Sequence, residues 1–315
     1  MRTSVGVAAL LACMFGVLSI QPVHAQVVRS GAVRTYLDQA LDTIRKYALR
    51  SDSVDWKEVR LGAYERARDA TQPAEAHAAL RWVLEQLGDH HSFLSVPSSS
   101  PDAMSVRAPP LPEGRRVADN VAYIRVPWFM GPDPTQFAAQ IDSAARAAGG
   151  SDMCGWIVDL RENAGGNMWP MLAGLRPILG PEPIGAFRDA AGIDTEWHYS
   201  ESGSQGTQWT ASTEPYVAVL TNERTVSSGE AVAVAFRGRP RTRSFGTPTR
   251  GLSTANGRFP LSDGSVLYLT TSVDVDRHGA PYGGPIMPDE VTDPQNTEAR
   301  ATAWLKQNCR QPPAG

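Results

Sequence analysis

The chain has 315 residues, of which 42% are hydrophobic and 20% are charged, values typical of a folded soluble protein and far from those of disordered, collagen-like or coiled-coil chains. The 30 basic and 33 acidic side chains nearly cancel, so the chain lacks the strong positive field that attracts a phosphate backbone or an anionic membrane. A nucleic-acid partner is therefore not expected. A core of this size needs neither disulfides nor a metal for stability.

The first 25 residues have the pattern of a signal peptide cleaved after Ala25. Its apolar run, over residues 5–20, is short for a membrane span, and no later stretch reaches the roughly 20 apolar residues that a span requires. We expect an exported protein, periplasmic or secreted, with no integral membrane segment after cleavage. The alternative is a lipoprotein anchored at Cys13, which ends a lipobox-like segment. Cys154 and Cys309 remain in the mature chain, where an oxidising compartment would permit a bridge.

Helical periodicity predicts a small N-terminal module over residues 26–95. Its three expected helices cover residues 33–48, 55–67 and 73–87. The next stretch, residues 96–116, is rich in proline and serine and is expected to be a linker. It is too short to contain a PDZ-like module.

The remaining residues, 117–315, alternate between short apolar runs and helical segments. This alternation predicts a layered α/β domain with a largely parallel sheet. Asp263-Gly264 is a hairpin signal. The predicted strands are residues 121–126, 156–160, 216–220 and 265–273, and the predicted helices are residues 134–148, a segment from about 167 and a segment from about 227.

No cofactor and no metal are expected. The chain has no GxGxxG, P-loop, HExxH or CxxC motif. Adjacent Asp89, His90 and His91 could in principle hold a metal, but neighbouring residues seldom converge on one ion and no second cluster is evident.

Nucleophilic catalysis by serine requires a base, usually histidine and sometimes lysine. The three lysines, Lys46, Lys57 and Lys306, all fall in predicted helices outside the α/β body. The base is therefore expected to be a histidine. The candidates in the mature chain are His77, His90, His91, His198 and His278.

Ser227 has the most favourable setting among the serines, because it lies at a predicted strand-to-helix junction. A helix N-terminus supplies free N–H groups and a positive dipole end, which favour a developing anion. Ser227 and Glu230 also have the spacing of an ordinary capping box, so a purely structural role stays open. The glycine turn at Gly165 and Gly166 ends a buried strand, and its N–H groups could complete an oxyanion hole with that of Ser228.

Three ordered segments resemble the signature of the tail-specific, or carboxy-terminal processing, serine proteases: DLRENAGG at 159–166, TVSSGE at 225–230 and GPIMPD at 284–289. The resemblance covers about residues 30–295. It implies a catalytic domain of the ClpP/crotonase-like superfold. It also implies that Ser227, the first serine after Thr-x, is the nucleophile, and that the glycine turn supplies an oxyanion N–H.

The family divides by its general base. The Ser-Lys branch carries its lysine in a Gly-x-x-Thr-x-Gly-Lys-Gly segment, where this chain has Leu252. The Ser-His branch, which includes the tricorn core and the nisin-resistance protease, takes its histidine from an Asp-x-His-Ser segment. That segment corresponds to residues 89–92 and implies that His91 is the base, in agreement with the positions of the lysines.

Two features of the predicted site stay open. At the spacing where the tricorn core has a glutamate, this chain has Tyr282. Another residue must therefore orient His91. The candidates are Asp89, Ser92 and Asp289. Three aromatic residues could line a side-chain pocket: Trp128, Phe129 and Trp169.

The sequence thus predicts an exported serine endopeptidase or carboxy-terminal processing peptidase that acts on peptides or unfolded proteins. In this interpretation His91 takes the proton from Ser227, and N–H groups of Ser228 and of Gly165 or Gly166 hold the oxyanion. A catalytically silent peptide-binding homologue is the alternative. A third interpretation is an esterase or amidase, although the absence of a GxSxG elbow counts against its α/β-hydrolase form.

Overall fold

The computed structural model describes residue 28, residues 30–97 and 110–202, residue 211 and residues 214–310. The predicted signal peptide and Cys13 lie outside these residues, as does most of the predicted linker. Within them, no helix is long and apolar enough to cross a membrane.

The N-terminal module has the three predicted helices. Asp55 caps the second helix by accepting the N–H groups of Lys57 and Glu58. The third predicted helix begins as a 3₁₀ turn over Pro73–Ala76, and Gly88, with φ of 62°, ends it in the left-handed conformation. The helices are α1 (Gly31–Tyr47), α2 (Trp56–Arg66) and α3 (His77–Leu87).

A six-stranded sheet forms the centre of the α/β domain. Its strands are β2 (Glu113–Ala118), β3 (Val121–Arg125), β4 (Gly155–Asp159), β7 (Tyr216–Thr221), β8 (Thr242–Gly246) and β11 (Glu290–Val291). Their order is β11-β8-β7-β4-β3-β2, and every neighbouring pair is parallel except β2 and β3. The predicted, largely parallel sheet is confirmed.

A second, five-stranded sheet is antiparallel. Its strands are β1 (Phe93–Ser95), β5 (Ala186–Asp189), β6 (Asp194–Glu196), β9 (Thr254–Pro260) and β10 (Val266–Val275). They are ordered β1-β10-β5-β6, while β9 pairs with the other edge of β10. The hairpin at Asp263-Gly264 is confirmed as the turn between β9 and β10. The sequence did not predict this sheet as a separate layer, because its strands come from three distant segments of the chain.

Helices cover both faces of the parallel sheet, as the strand alternation requires. Ala122, Trp156 and Val158 face one helical layer, and Ile157 and Leu220 face α7 on the other side. The first layer consists of α4 (Pro134–Ala148), α5 (Met168–Leu179) and α6 (Ser228–Ala235), and α7 is Thr297–Asn308. The mixed α/β fold with N-terminal helices agrees with the sequence prediction.

The helical module shares its apolar core with the β9–β10 hairpin. Leu37 and Leu80 of the module lie in one buried cluster with Leu267 and Leu269 of β10. The reason is physical, since three short amphipathic helices cannot bury their apolar faces by themselves. The expected linker also differs from the structure, because β2 begins at residue 113, inside it.

The pairing of Cys154 and Cys309, which the sequence left open, is present as a disulfide that closes a separation of 155 residues. It ties the residue before β4 to the residue after α7. We expect replacement of both cysteines by serine to lower the stability by about 2–4 kcal/mol, because the bridge restricts the unfolded chain. Thermal unfolding followed by circular dichroism measures this loss. A reducing agent should lower the melting temperature of the wild type and leave that of the double variant unchanged. Equal melting temperatures for the oxidised wild type and the double variant would contradict the expectation.

Candidate active site

Ser227 adopts a strained backbone conformation at the start of α6, with φ of 53° and ψ of −119°. A positive φ at a residue other than glycine costs of order 1–3 kcal/mol and persists only where the surroundings enforce it. An ordinary N-cap residue has extended, negative-φ backbone. The capping box of Ser227 and Glu230 is present, but capping alone does not require this positive φ, which is of the sharp strand-to-helix kind that exposes a nucleophile.

The carboxylate of Glu230 holds this turn in place. Glu230 is fully buried and accepts the N–H of Ser227 at 2.9 Å. It also accepts the hydroxyl of Thr249 at 2.6 Å and the N–H groups of Gly251 and Leu252 at 2.8 Å each. Burial raises the pKa of Glu230, and these four donors oppose that rise. The residue thus joins the serine turn to the segment 249–252.

The glycine turn of the sequence prediction lies directly beside the serine. A Cβ atom placed on Gly165 would be 3.0 Å from the Cβ of Ser227, and φ is 96° at Gly165 and 102° at Gly166. The N–H of Gly165 donates to Oδ1 of Asn163 at 3.0 Å. The N–H groups of Gly166 and Ser228 face no acceptor among the residues that the structure describes. These two groups, rather than that of Gly165, are the candidate oxyanion donors.

Asn163 is a functional candidate that the sequence analysis missed, although it lies within the glycine-turn motif. It is fully buried. Its side-chain Nδ2 donates to the carbonyl of Val126 at 3.0 Å. Its backbone carbonyl accepts the N–H of Val226 at 2.9 Å. A Cβ atom on Gly229 would lie 2.6 Å from that carbonyl oxygen, which explains the glycine there. Asn163 therefore fixes the glycine turn against the serine turn.

His91 is partly buried and is held at three points. Its ring Nδ1 lies 2.7 Å from Oγ1 of Thr254. Its backbone N–H donates to Asp89 at 3.0 Å, and its backbone carbonyl accepts a hydrogen bond from Nδ2 of Asn256 at 2.9 Å. Burial lowers the pKa of His91, and the charge of Asp89 opposes this. The imidazole is therefore mainly neutral at pH 7, with Nε2 left for other contacts.

The residue that contacts the His91 ring is Thr254, which was not among the predicted candidates. Asp89 instead caps the turn, where it binds the backbone of His91 and the hydroxyl of Ser92 at 2.6 Å. Asp289 is bound to Arg237 and Ser244. Thr254 is the first residue of β9, a strand that the sequence did not predict, so its place beside His91 could not be foreseen.

One segment of chain connects Ser227 with His91. Glu230 binds Gly251 and Leu252, and two residues later Thr254 contacts the His91 ring. The structure therefore brings both predicted residues to the segment 249–254. The three lysines lie in α1, α2 and α7, away from this segment.

The other histidines have different partners. His77 pairs with Asp263 at 2.6 Å, His198 lies 3.1 Å from Glu182, and Nε2 of His278 lies 2.9 Å from the carbonyl oxygen of Gly238. His90 is exposed in a left-handed turn with φ of 56°. In the part of the chain that the structure describes, no three His, Cys, Asp or Glu residues are grouped to hold a metal.

The aromatic candidates divide between core and surface. Phe129 is buried and stacks on Phe137 at 4.3 Å, so it belongs to the core. Trp169 is half-buried and meets the edge of Phe187 at 6.2 Å, while Trp128 is also half-buried. Tyr282 donates its hydroxyl to Asp276 at 3.1 Å.

Comparison with known proteins identifies the family. The sequence model of Peptidase family S41 matches residues 120–292, which is 173 of the 315 residues. The chain belongs to peptidase family S41. It is a serine peptidase, and the resemblance to the tail-specific proteases is confirmed.

Two curated relatives show how far the similarity extends. The peptidase is 29% identical to the nisin-resistance protein of Lactococcus lactis subsp. lactis over 282 residues, which cover 86% of each chain. It is 30% identical to the chloroplastic carboxyl-terminal-processing peptidase 2 of Arabidopsis thaliana over 163 residues, which cover 48% of this chain and 30% of the relative.

Solved structures agree with the fold. A lipoprotein from Streptococcus agalactiae superposes with a TM-score of 0.77 at 26% identity, covering 88% of this chain and 97% of that one. The photosystem II D1 C-terminal processing protease has a TM-score of 0.61 at 14% identity, covering 84% and 94% of the two chains, and supports the fold alone.

A second buried carboxyl lies close to Glu230 in the peptidase. Asp274 of β10 is fully buried, and both of its carboxyl oxygens lack a hydrogen-bond partner among the described residues. Burial, and to a smaller extent the charge of Glu230, raise the pKa of Asp274 well above its usual range. Burial therefore favours the protonated form of Asp274 in the folded protein.

Replacement of Asp274 by asparagine should stabilise the peptidase at alkaline pH. The unfolded chain ionises Asp274 near pH 4, whereas the folded protein retains the proton, so stability falls as the pH rises from about 4 through the folded pKa. Asparagine removes this loss. We expect Asp274→Asn to melt above the wild type at pH 8, by about 2–4 °C per kcal/mol recovered, and the difference to shrink towards pH 4. Calorimetry at several pH values measures this, with exposed Asp119→Asn as the control. A difference that does not vary with pH would contradict the expectation.

Proposed function

We propose that this serine peptidase is an exported carboxyl-terminal processing peptidase that cleaves peptide bonds by a Ser-His mechanism. Ser227 is the nucleophile and His91 is the general base. The observation that carries the proposal is the strained, positive-φ conformation of Ser227 at the start of α6, in contact with the glycine turn.

In the proposed reaction, Nε2 of His91 takes the proton from the Ser227 hydroxyl as its oxygen attacks the peptide carbonyl. The N–H groups of Gly166 and Ser228 donate to the oxyanion. His91 then gives the proton to the leaving amine, which departs as the acyl-enzyme forms. Water, deprotonated by His91, attacks the ester. The acid is released as His91 returns the proton to the departing Ser227 oxygen.

Thr254 acts in this mechanism as a positioning residue. With the proton of the neutral imidazole on Nδ1, His91 donates to Oγ1 of Thr254, and Nε2 is the free base. A hydroxyl replaces the carboxylate that fills this place in the best-known serine triads, so less charge stabilises the imidazolium.

Export and the carboxyl-terminal preference are supported by separate observations. The disulfide between Cys154 and Cys309 is typical of oxidising compartments, and one structural neighbour is described as a lipoprotein. The Arabidopsis relative is named a carboxyl-terminal-processing peptidase. Mass spectrometry of the mature N-terminus distinguishes signal cleavage after Ala25 from a lipid anchor on Cys13.

Labelling with a fluorophosphonate tests the nucleophile and the base. We expect one adduct per chain, mapped by peptide mass spectrometry to Ser227, because the probe phosphonylates an activated serine. Ser227→Ala should abolish labelling and His91→Ala should slow it by about 10²-fold or more. The control Ser53→Ala removes an exposed serine of the helical module and should still label.

The labelling rate should also depend on pH. Only neutral His91 accepts a proton, and burial lowers its pKa, so the rate should rise with pH, with a midpoint below pH 6.5, and then level off. A folded protein that gives no adduct at any pH would contradict the proposal and favour a silent peptide-binding homologue.

Thr254→Val should leave the fold intact and reduce the labelling rate about 10- to 100-fold. Valine has the shape of threonine but offers His91 no hydrogen-bond acceptor, so the imidazole loses its orientation while staying within reach. Thr254→Ser should retain most of the rate. Equal rates for Thr254→Val and the wild type, at matched melting temperatures, would exclude this role.

A further inference from the structure

The strand that orients His91 continues as part of a surface. Side chains alternate along β9, so Thr254, Asn256 and Arg258 share one face of the five-stranded sheet. Thr254 contacts the ring of His91, and Asn256 binds its carbonyl. Thr254 and Arg258 therefore lie at the two ends of this face, and the turn that carries His91 packs on its middle through Asn256 and Thr270.

Two stacked aromatic rings lie on the same face. Phe93 of β1 and Tyr268 of β10 are directly opposite each other, and their rings stack at 4.8 Å with an angle of 12°. Phe93 is 48% exposed. The other face of these strands is covered, because Leu94 and Leu267 lie in the core of the helical module. An exposed aromatic stack close to a proposed base is a surface that an apolar side chain can bind.

Arg258 completes a row across the sheet, since it is the cross-strand partner of Tyr268. We call Phe93, Tyr268 and Arg258 the aromatic–arginine row. Arg258 is exposed, and its guanidinium has neither a carboxylate nor another hydrogen-bond partner within the described ranges. Arg161 and Arg188, by contrast, form ion pairs with Asp159 and Asp194. The row therefore offers an uncompensated cation next to an apolar platform.

Strand geometry sets the spacing. A strand rises about 3.3 Å per residue, so Arg258 begins about 13 Å along β9 from Thr254, and Phe93 is about 7 Å along the chain from His91. An extended peptide has the same rise. Neighbouring strands lie about 4.8 Å apart, so Arg258 is about 7 Å across the row from the centre of the Phe93–Tyr268 stack, a distance that about two residues of an extended peptide span.

We propose that the aromatic–arginine row binds the carboxyl-terminal end of the substrate, with the α-carboxylate on Arg258 and an apolar side chain, about two residues before it, on the Phe93–Tyr268 stack. This rests on the proposed function. A guanidinium binds a carboxylate through two parallel, charge-assisted hydrogen bonds. An α-carboxylate is the occupant because a chain end is the substrate feature that the proposed processing activity must recognise. The row supplies this recognition on the five-stranded sheet, whose strand β9 also contacts His91.

Binding to the Ser227→Ala variant tests the row without turnover. The probe is a fluorescein-labelled octapeptide of alanines with leucine third from its end, compared with the same peptide as its amide. By fluorescence anisotropy, the free acid should bind about five- to tenfold more tightly. Arg258→Gln should abolish this difference. The control Arg116→Gln removes an exposed arginine from β2 of the other sheet and should preserve it. Phe93→Ala should weaken both peptides and leave their ratio unchanged.

Several outcomes would overturn the proposal. One is equal affinity of the Ser227→Ala protein for the free-acid and amide peptides, and another is that neither peptide binds. A third is that Arg116→Gln abolishes the difference in affinity as Arg258→Gln does. An amide peptide with glutamate as its last residue that binds as tightly as the acid would show recognition of an acidic side chain instead. Because the assay uses no turnover, a failure to label Ser227 would reject the catalytic proposal alone, while labelling without acid preference would reject the docking proposal alone.

Discussion

The buried carboxylate of Glu230 is the interaction on which the site depends. It accepts the N–H of Ser227 together with three donors from the segment 249–252. A buried anion is costly unless its hydrogen-bonding capacity is filled, and here four donors fill it. The same bonds that solvate the anion hold the serine in a conformation that its own backbone preference opposes. Strain at the serine is therefore maintained by a group that has no direct part in the proposed chemistry.

The β9–β10 hairpin extends this constraint through the molecule. At one end, Thr254 lies two residues after Leu252, whose backbone N–H donates to Glu230. Near the turn of the hairpin, Asp263 pairs with His77 and Ser265 with Tyr36, both from the helical module. The hairpin is thus fixed at the site by a hydrogen-bonded anion and at its tip by the N-terminal helices. A surface built on β9 and β10 is correspondingly well placed relative to His91.

The helical module is part of the site rather than an accessory domain. It ends on the turn that carries His91, and its apolar core is completed by β10. Leu252, where the Ser-Lys branch has its base, contributes only a backbone N–H to Glu230. With an apolar side chain there, the proposed mechanism takes its proton acceptor from another element, and the turn after α3 brings His91 to the start of β9.

Local sequence determined the elements whose signals are short-range. The period of apolar residues fixed α4 over Pro134–Ala148 and the buried parallel strands. The motifs at 159–166 and 225–230 indicated the glycine turn and Ser227, and the segment 89–92 indicated His91. Tertiary structure alone decided the antiparallel sheet, the contact of Thr254 with His91, the role of Asn163 and the engagement of the Gly165 N–H by Asn163. These features depend on pairing between segments far apart in the chain. A sequence pattern records which face of a segment is apolar, but the partner across a sheet and the direction of a single N–H are set only when distant segments meet.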